Sequence, residues 1–117
     1  MKVKQGDVFW ISPNELNGIE SDHTHPYVVV QDDASDTVTV CGLTTNLRRA
    51  KAPGNVLLEE GEANLPKQSI VVVSQVSTVD KTRLGEYIGT LTEPRINQVL
   101  AGIRFLQFMT KHHVQVS

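Results

Sequence analysis

Most of the chain alternates short apolar runs with Gly, Pro, Asn and Asp, the pattern of closely spaced strands joined by turns. Val8-Phe9-Trp10-Ile11 follows Gly6-Asp7 and is closed by Ser12-Pro13-Asn14. Phe9 and Trp10 are neighbours in this run, so only one of them can face inward. Asn14 to Thr24 is polar, contains Gly18, and reads as a long exposed loop. Pro26 opens Tyr27-Val28-Val29-Val30, and Gln31-Asp32-Asp33 ends it. Val38, Val40 and Gly42 then alternate with Thr37, Thr39 and Cys41 at the period of a strand. Pro53-Gly54-Asn55 reads as a turn into Val56-Leu57-Leu58. The segment Ser69 to Val76 is nearly unbroken in its apolar character, which predicts a strand buried on both faces.

Two helical signals follow. Val79 to Leu84 is long enough for one helical turn, with Gly85 to end it. After a further short strand, Glu86 to Leu91, Thr92 is placed as an N-cap, with Glu93 and Pro94 in the first turn. Ile96, Val99, Leu100, Ile103 and Leu106 then fall on one helical face. The predicted fold is mainly β, with about six strands and a C-terminal helix. Such short strands in a small chain form a closed or partly open barrel. Residues 1–110 are expected to form one domain and 111–117 a tail that frays.

Composition narrows the function. The 117 residues suffice for one core, and 39% hydrophobic with 21% charged residues is an ordinary globular balance. Cys41 is the only cysteine, so neither an internal disulfide nor a thiolate-rich metal site can form, which fits a cytoplasmic location. No apolar run reaches the ~20 residues of a membrane span, and the N-terminus lacks a signal-peptide core. The net charge of −2 argues against general electrostatic binding of nucleic acid. Any RNA contact must use a local patch, and Arg48, Arg49 and Lys51 after Thr44-Thr45-Asn46 offer one. A solvated loop explains the same cations equally simply.

Several stretches resemble the PemK/MazF toxin family, and in order and spacing they cover nearly the whole chain. Lys4-Gln5-Gly6-Asp7-Val8-Phe9-Trp10 is similar to the first strand of that family. Gly18-Ile19-Glu20 with His25-Pro26-Tyr27-Val28-Val29-Val30 resembles its loop and second strand, and Leu43-Thr44-Thr45-Asn46 the end of its third. Gln68 to Val76, continued by Ser77-Thr78-Val79-Asp80-Lys81 and Arg83-Leu84, resembles its next conserved-looking segment. The resemblance implies an SH3-like barrel of the PemK/MazF/CcdB kind and a homodimer. It also implies a sequence-selective, metal-independent endoribonuclease (an mRNA interferase) without a cofactor, restrained by a cognate antitoxin. Its products would carry 2′,3′-cyclic phosphate and 5′-hydroxyl ends. Because the same superfamily contains gyrase poisons, a toxin that blocks a partner enzyme without cutting is the alternative. Three positions depart from the family pattern. His25 stands where the family usually has its main catalytic Arg. Ser74 replaces an acidic residue before Gln75, and Ser77 replaces an Arg after it.

Metal-free RNA cleavage needs a base for the 2′-hydroxyl, an acid for the leaving 5′-oxygen, and donors for the phosphorane. Histidine suits the first two roles because it titrates near working pH. His23 and His25 are two residues apart and point the same way if that stretch is extended, which Pro26 favours at His25. His25 is therefore assigned as acid/base or phosphate-stabilising group, with His23 as partner and Thr44 as donor to the scissile phosphate. Thr45, Asn46, Ser74 and Gln75 are candidates to read base edges, as unstacked RNA allows. Tyr27 can stack on a base or belong to the core. Glu20 is a base, an RNA contact, or a solvated carboxylate. Cys41, mid-strand and without a Cys/His/Asp arrangement, reads as packing rather than nucleophile. Asp32, Asp33 and Asp36 form a loop cluster, but no metal-ligand spacing and no phosphate-binding loop is present.

Overall fold

A computed structural model describes residues 2–12 and 25–111. Among these residues six strands form one antiparallel sheet: β1 (Asp7–Ile11), β2 (His25–Asp32), β3 (Thr37–Thr44), β4 (Val56–Leu58), β5 (Ser69–Asp80) and β6 (Leu84–Thr90). Helix α1 (Glu93–Lys111) follows. The strand order is β4-β5-β3-β2-β1-β6. The two edge strands, β4 and β6, do not pair with each other. The tight turn Glu62–Asn64 lies between them, and Asn64 Nδ2 donates to the Ile88 carbonyl of β6 at 3.0 Å. The result is a partly open barrel of the SH3-like kind, its gap bridged by a turn rather than by a strand ladder.

Apolar residues occupy both faces of the sheet. On one face Val8, Val28, Val30, Cys41, Leu43, Leu58 and Val71 pack together, and α1 covers them with Val99, Ile96, Leu100 and Ile103. The helical spacing read from the sequence is the spacing that makes this contact. On the other face Phe9, Ile11, Val29, Val38, Val40 and Leu84 form a second cluster, with Tyr27 and Val79 against it and no residue of α1 in it. Phe9 is buried and Trp10 half-buried, as their neighbouring positions in a strand require. Buried Asp7 is satisfied by the Lys4 N–H at 3.0 Å and the Thr90 hydroxyl at 2.7 Å, which ties the start of β1 to the end of β6.

β5 is longer than the sequence suggests. Thr37 pairs with Asp80 and Val38 with Val79, so the strand runs on to Asp80. Only Lys81–Arg83 turn as a short 3-10 segment, and β6 starts at Leu84 without needing Gly85 as a stop. A local helical preference was overridden by pairing with a distant strand. Lys111, assigned to the tail, is the last residue of α1.

The sheet carries one large irregularity. Cys41 faces Val76, but Leu43 faces Val71, so the single residue Gly42 stands opposite the whole stretch Val72 to Gln75. Backbone groups inside this bulge lose strand partners and take side chains instead. The Cys41 thiol donates to the Val72 carbonyl at 3.1 Å, and the Val73 N–H donates to Asn55 Oδ1 at 3.0 Å. Burial pushes the Cys41 thiol up to about 12, so it is a packing and bulge-holding group rather than a nucleophile.

Candidate active site and RNA-binding face

The second apolar face changes character toward one end of β2 and β3. Along β2, Val29 and Tyr27 belong to that face, and alternation puts His25 on it too. Along β3, Val38 and Val40 belong to it, and the same alternation adds Gly42 and Thr44. Tyr27 pairs with Gly42, and His25 and Thr44 each lie two residues further along their strands, toward the same end of the face. His25 is exposed and Thr44 half-buried. Residues far apart in sequence are thus brought together by antiparallel pairing.

Thr44 is prepared as a donor. The Asn46 N–H donates to its hydroxyl oxygen at 3.1 Å, which occupies one lone pair and leaves the hydroxyl hydrogen for an incoming acceptor. Asn46 Oδ1 in turn accepts from the Arg48 N–H at 3.2 Å and caps the 3-10 turn Leu47–Lys51. That turn presents Arg48, Arg49 and Lys51, and none of the three is in an ion pair among the described residues. Unneutralised cations beside a hydroxyl donor suit a phosphate backbone. They also show how a chain of net charge −2 can still offer local positive charge.

Gln75 completes the face. A Cβ on Gly42 would lie 2.7 Å from Gln75 Oε1 and 3.5 Å from Tyr27 Cε2. The missing side chain is the space in which the Gln75 amide sits beside the Tyr27 ring, and glycine in a strand commonly marks such an approach. Ser74 and Gln75 are both exposed on the bulge, and Thr45 is exposed in the turn after β3. The structure therefore gathers His25, Thr44, Tyr27 and Gln75 on one face, with Thr45, Asn46, Arg48, Arg49 and Ser74 around it. Glu20 and His23 lie outside the described residues. Sequence reasoning missed Gly42 and Asn55 as parts of this arrangement. Gly42 within an alternating strand was a usable signal, whereas Asn55 looked like any other turn residue.

Among the described residues no group of three or more His, Cys, Asp or Glu is placed to hold a metal ion. The carboxylates Asp32 and Asp33 are engaged otherwise. Lys81 bonds to Asp32 at 2.9 Å and, with the Ala34 N–H, holds its carboxyl below the usual range. Asp33 accepts from Gln31, Thr37 and Thr39.

A small open β-barrel that sets polar strand ends beside a cationic turn has the chemistry that suits an extended polyanion. The sequence profile of the PemK-like, MazF-like toxins of type II toxin–antitoxin systems matches residues 4–106, and the chain belongs to that family. It is 32% identical over 101 residues to the endoribonuclease MazF of Staphylococcus epidermidis, covering 83% of this chain and 84% of that protein. It is 31% identical, with the same coverage, to the endoribonuclease MazF of Staphylococcus saprophyticus. Among solved structures, a mycobacterial endoribonuclease in complex with its cognate antitoxin superposes with a TM-score of 0.74, covering 92% of this chain and 97% of that one. MazF of Deinococcus radiodurans superposes with a TM-score of 0.71 at the same coverage. Both are 19% identical and speak to the fold alone.

Proposed function

We propose that the chain is the toxin of a toxin–antitoxin pair and an endoribonuclease that cuts single-stranded RNA, mRNA included. The observation that carries this reading is the pairing of Tyr27 with Gly42, which brings His25 and Thr44 to the same end of the face that bears Tyr27 and Gln75. The 2′-oxygen attacks the adjacent phosphorus as a base takes its proton. The Thr44 hydroxyl and nearby cations stabilise the charge gathering on the phosphoryl oxygens, and the 5′-oxygen leaves with a proton from an acid. The bond formed is 2′-O–P and the bond broken is P–O5′, which leaves a 2′,3′-cyclic phosphate and a 5′-hydroxyl. His25 and His23 divide the roles of base and acid, with His25 also able to serve as the cation at the phosphate. Thr45, Asn46, Ser74, Gln75 and Glu20 read or hold the strand, Tyr27 stacks on a base, and Arg48 and Arg49 meet its phosphates.

Membership of the family supports the reading that the toxin acts in the cytoplasm, as a homodimer and under an antitoxin. No helix among the described residues is long and apolar enough to cross a membrane. Exposed Phe105 on α1 and Val76 on β5 are apolar surface that a second copy would bury. None of the relatives named above supports the partner-blocking alternative. The test is incubation of purified protein with long single-stranded RNA in EDTA, with ends mapped by primer extension. Discrete cuts at a recurring motif with cyclic-phosphate ends support the reading. Intact RNA from a protein that still arrests growth overturns it.

A further inference from the structure

The cationic turn and the β5 bulge are separate segments, yet one side chain joins them. Asn55 Nδ2 donates to the Arg49 carbonyl at 2.8 Å, and Asn55 Oδ1 accepts from the Val73 N–H at 3.0 Å. The first bond holds the turn that displays Arg48 and Arg49. The second holds the residue immediately before Ser74 and Gln75. A carboxamide is the side-chain group that can do both at once, one donor and one acceptor at fixed separation. Its own backbone is pinned. The Asn55 N–H donates to the Ala52 carbonyl at 3.2 Å. The preceding Gly54, with φ of +86°, lies so close to α1 that a Cβ there would meet the Gly102 carbonyl at 3.0 Å and Val73 Cγ2 at 3.1 Å. The turn that carries Asn55 is therefore wedged between helix and bulge and cannot drift to relax either bond.

We infer that Asn55 is a positioning residue of the RNA groove. Its carboxamide sets the spacing between the cations of the 3-10 turn and the Ser74–Gln75 bulge, and thereby how tightly and how selectively the strand is held. This rests on the ribonuclease reading above. Without the link, the Arg48–Arg49 turn and the Gln75 amide move independently, and a bound strand must order both. The chemical step at His25 and Thr44 does not pass through Asn55. Its loss acts on substrate binding and site choice rather than on the turnover of bound RNA.

The experiment compares Asn55→Ala and Asn55→Asp with the parent and with Asn64→Ala, which removes a side-chain bond to the Ile88 carbonyl of β6 that touches neither the cationic turn nor the β5 bulge. KM and kcat are measured on a short single-stranded RNA, the cut sites on a long RNA, and amide exchange at Val73 by NMR. For Asn55→Ala, KM should rise about tenfold with kcat within about threefold, the size expected from losing two hydrogen bonds in a part-buried site. Additional cut sites and faster exchange at Val73 should accompany that rise. Asn55→Asp keeps the acceptor but places an oxygen against the Arg49 carbonyl, so it should retain slow exchange at Val73 yet still raise KM. Asn64→Ala should lose thermal stability, from its one bond and from alanine at a φ of +60°, and leave KM and cut sites unchanged. The proposal is overturned if Asn55→Ala binds and selects RNA like the parent, or if Asn64→Ala reproduces its KM change. A parent protein that does not cut RNA refutes the ribonuclease reading and the positioning role with it.

Discussion

On the α1 side of the sheet, apolar side chains run to the ends of the strands, and Val99 and its helical neighbours seal them. On the other side Phe9, Ile11, Val29, Val38 and Val40 form a platform that gives way to Tyr27, His25, Gly42 and Thr44 along the same two strands. The first face buys stability with complete burial. The second gives up part of that burial to hold polar groups on a rigid support, where side-chain positions follow from strand pairing rather than from a loop. Stability and chemistry are therefore separable by face, and substitutions should separate them.

The largest expected effect is on the face that carries His25 and Thr44. His25→Ala and Thr44→Ala should each lower RNA cleavage by about 10²–10⁴-fold, the usual scale for losing an acid/base or oxyanion donor. Thermal unfolding should scarcely move, because neither side chain is buried. If both variants cut like the parent, the division between the faces is misplaced. The opposite result is expected from Leu58→Ala under the helix-covered face. There a fully buried side chain is removed, and unfolding in denaturant should show a loss of about 2–5 kcal/mol. The remaining folded fraction should cleave at the parent's specific rate.

Gly42→Ala tests the border between the two regimes. The new methyl would meet Gln75 Oε1, the far end of a flexible side chain, so the fold should lose no more than about 1 kcal/mol. RNA affinity should fall several-fold as the Gln75 amide is displaced, read from titration of a fluorescent oligonucleotide. Unchanged affinity would remove Gln75 from the groove.

The smallest effect belongs to the ion pair that ties α1 to the turn Glu62–Asn64. Arg95 donates to Glu62 at 2.8 and 2.9 Å and, together with the Glu59 N–H, holds the Glu62 carboxyl below the usual range. A carboxyl depressed in the folded state stabilises it above the unfolded pKa, and that contribution fades as pH falls through the folded one. The pair is partly solvated, so the contribution is below about 1 kcal/mol. Thermal midpoints from pH 7 down to pH 3 should fall slightly less for Glu62→Gln than for the parent. An identical pH dependence in both would mean that the pair adds nothing.

Much of the fold was legible because its signals are local. Period-two runs marked the strands, and the spacing of Ile96, Val99, Leu100 and Ile103 marked α1. The length of β5 was not, since Val79 and Asp80 are held extended only by Val38 and Thr37 across the sheet. The site was half legible. Its residue types were visible in the motifs, with His25 fixed as extended by Pro26. The jump in register at Gly42, which puts Gln75 beside Tyr27, is marked in the sequence only by Gly42 and by the polar pair Ser74-Gln75, and neither says how many residues the bulge absorbs.

By itself the sequence determined that this chain makes short strands and one amphipathic helix, and that its family is that of the PemK/MazF toxins. Those properties depend on neighbouring residues and on motif order, which the linear chain contains in full. Only the tertiary structure decided that Tyr27 pairs with Gly42 and so brings the ends of β2 and β3 together, that Gln75 fills the space Gly42 leaves, and that Asn55 links the 3-10 turn to the β5 bulge. Each of those is a contact between residues distant in sequence, set by which strand pairs with which and by how many residues a bulge absorbs.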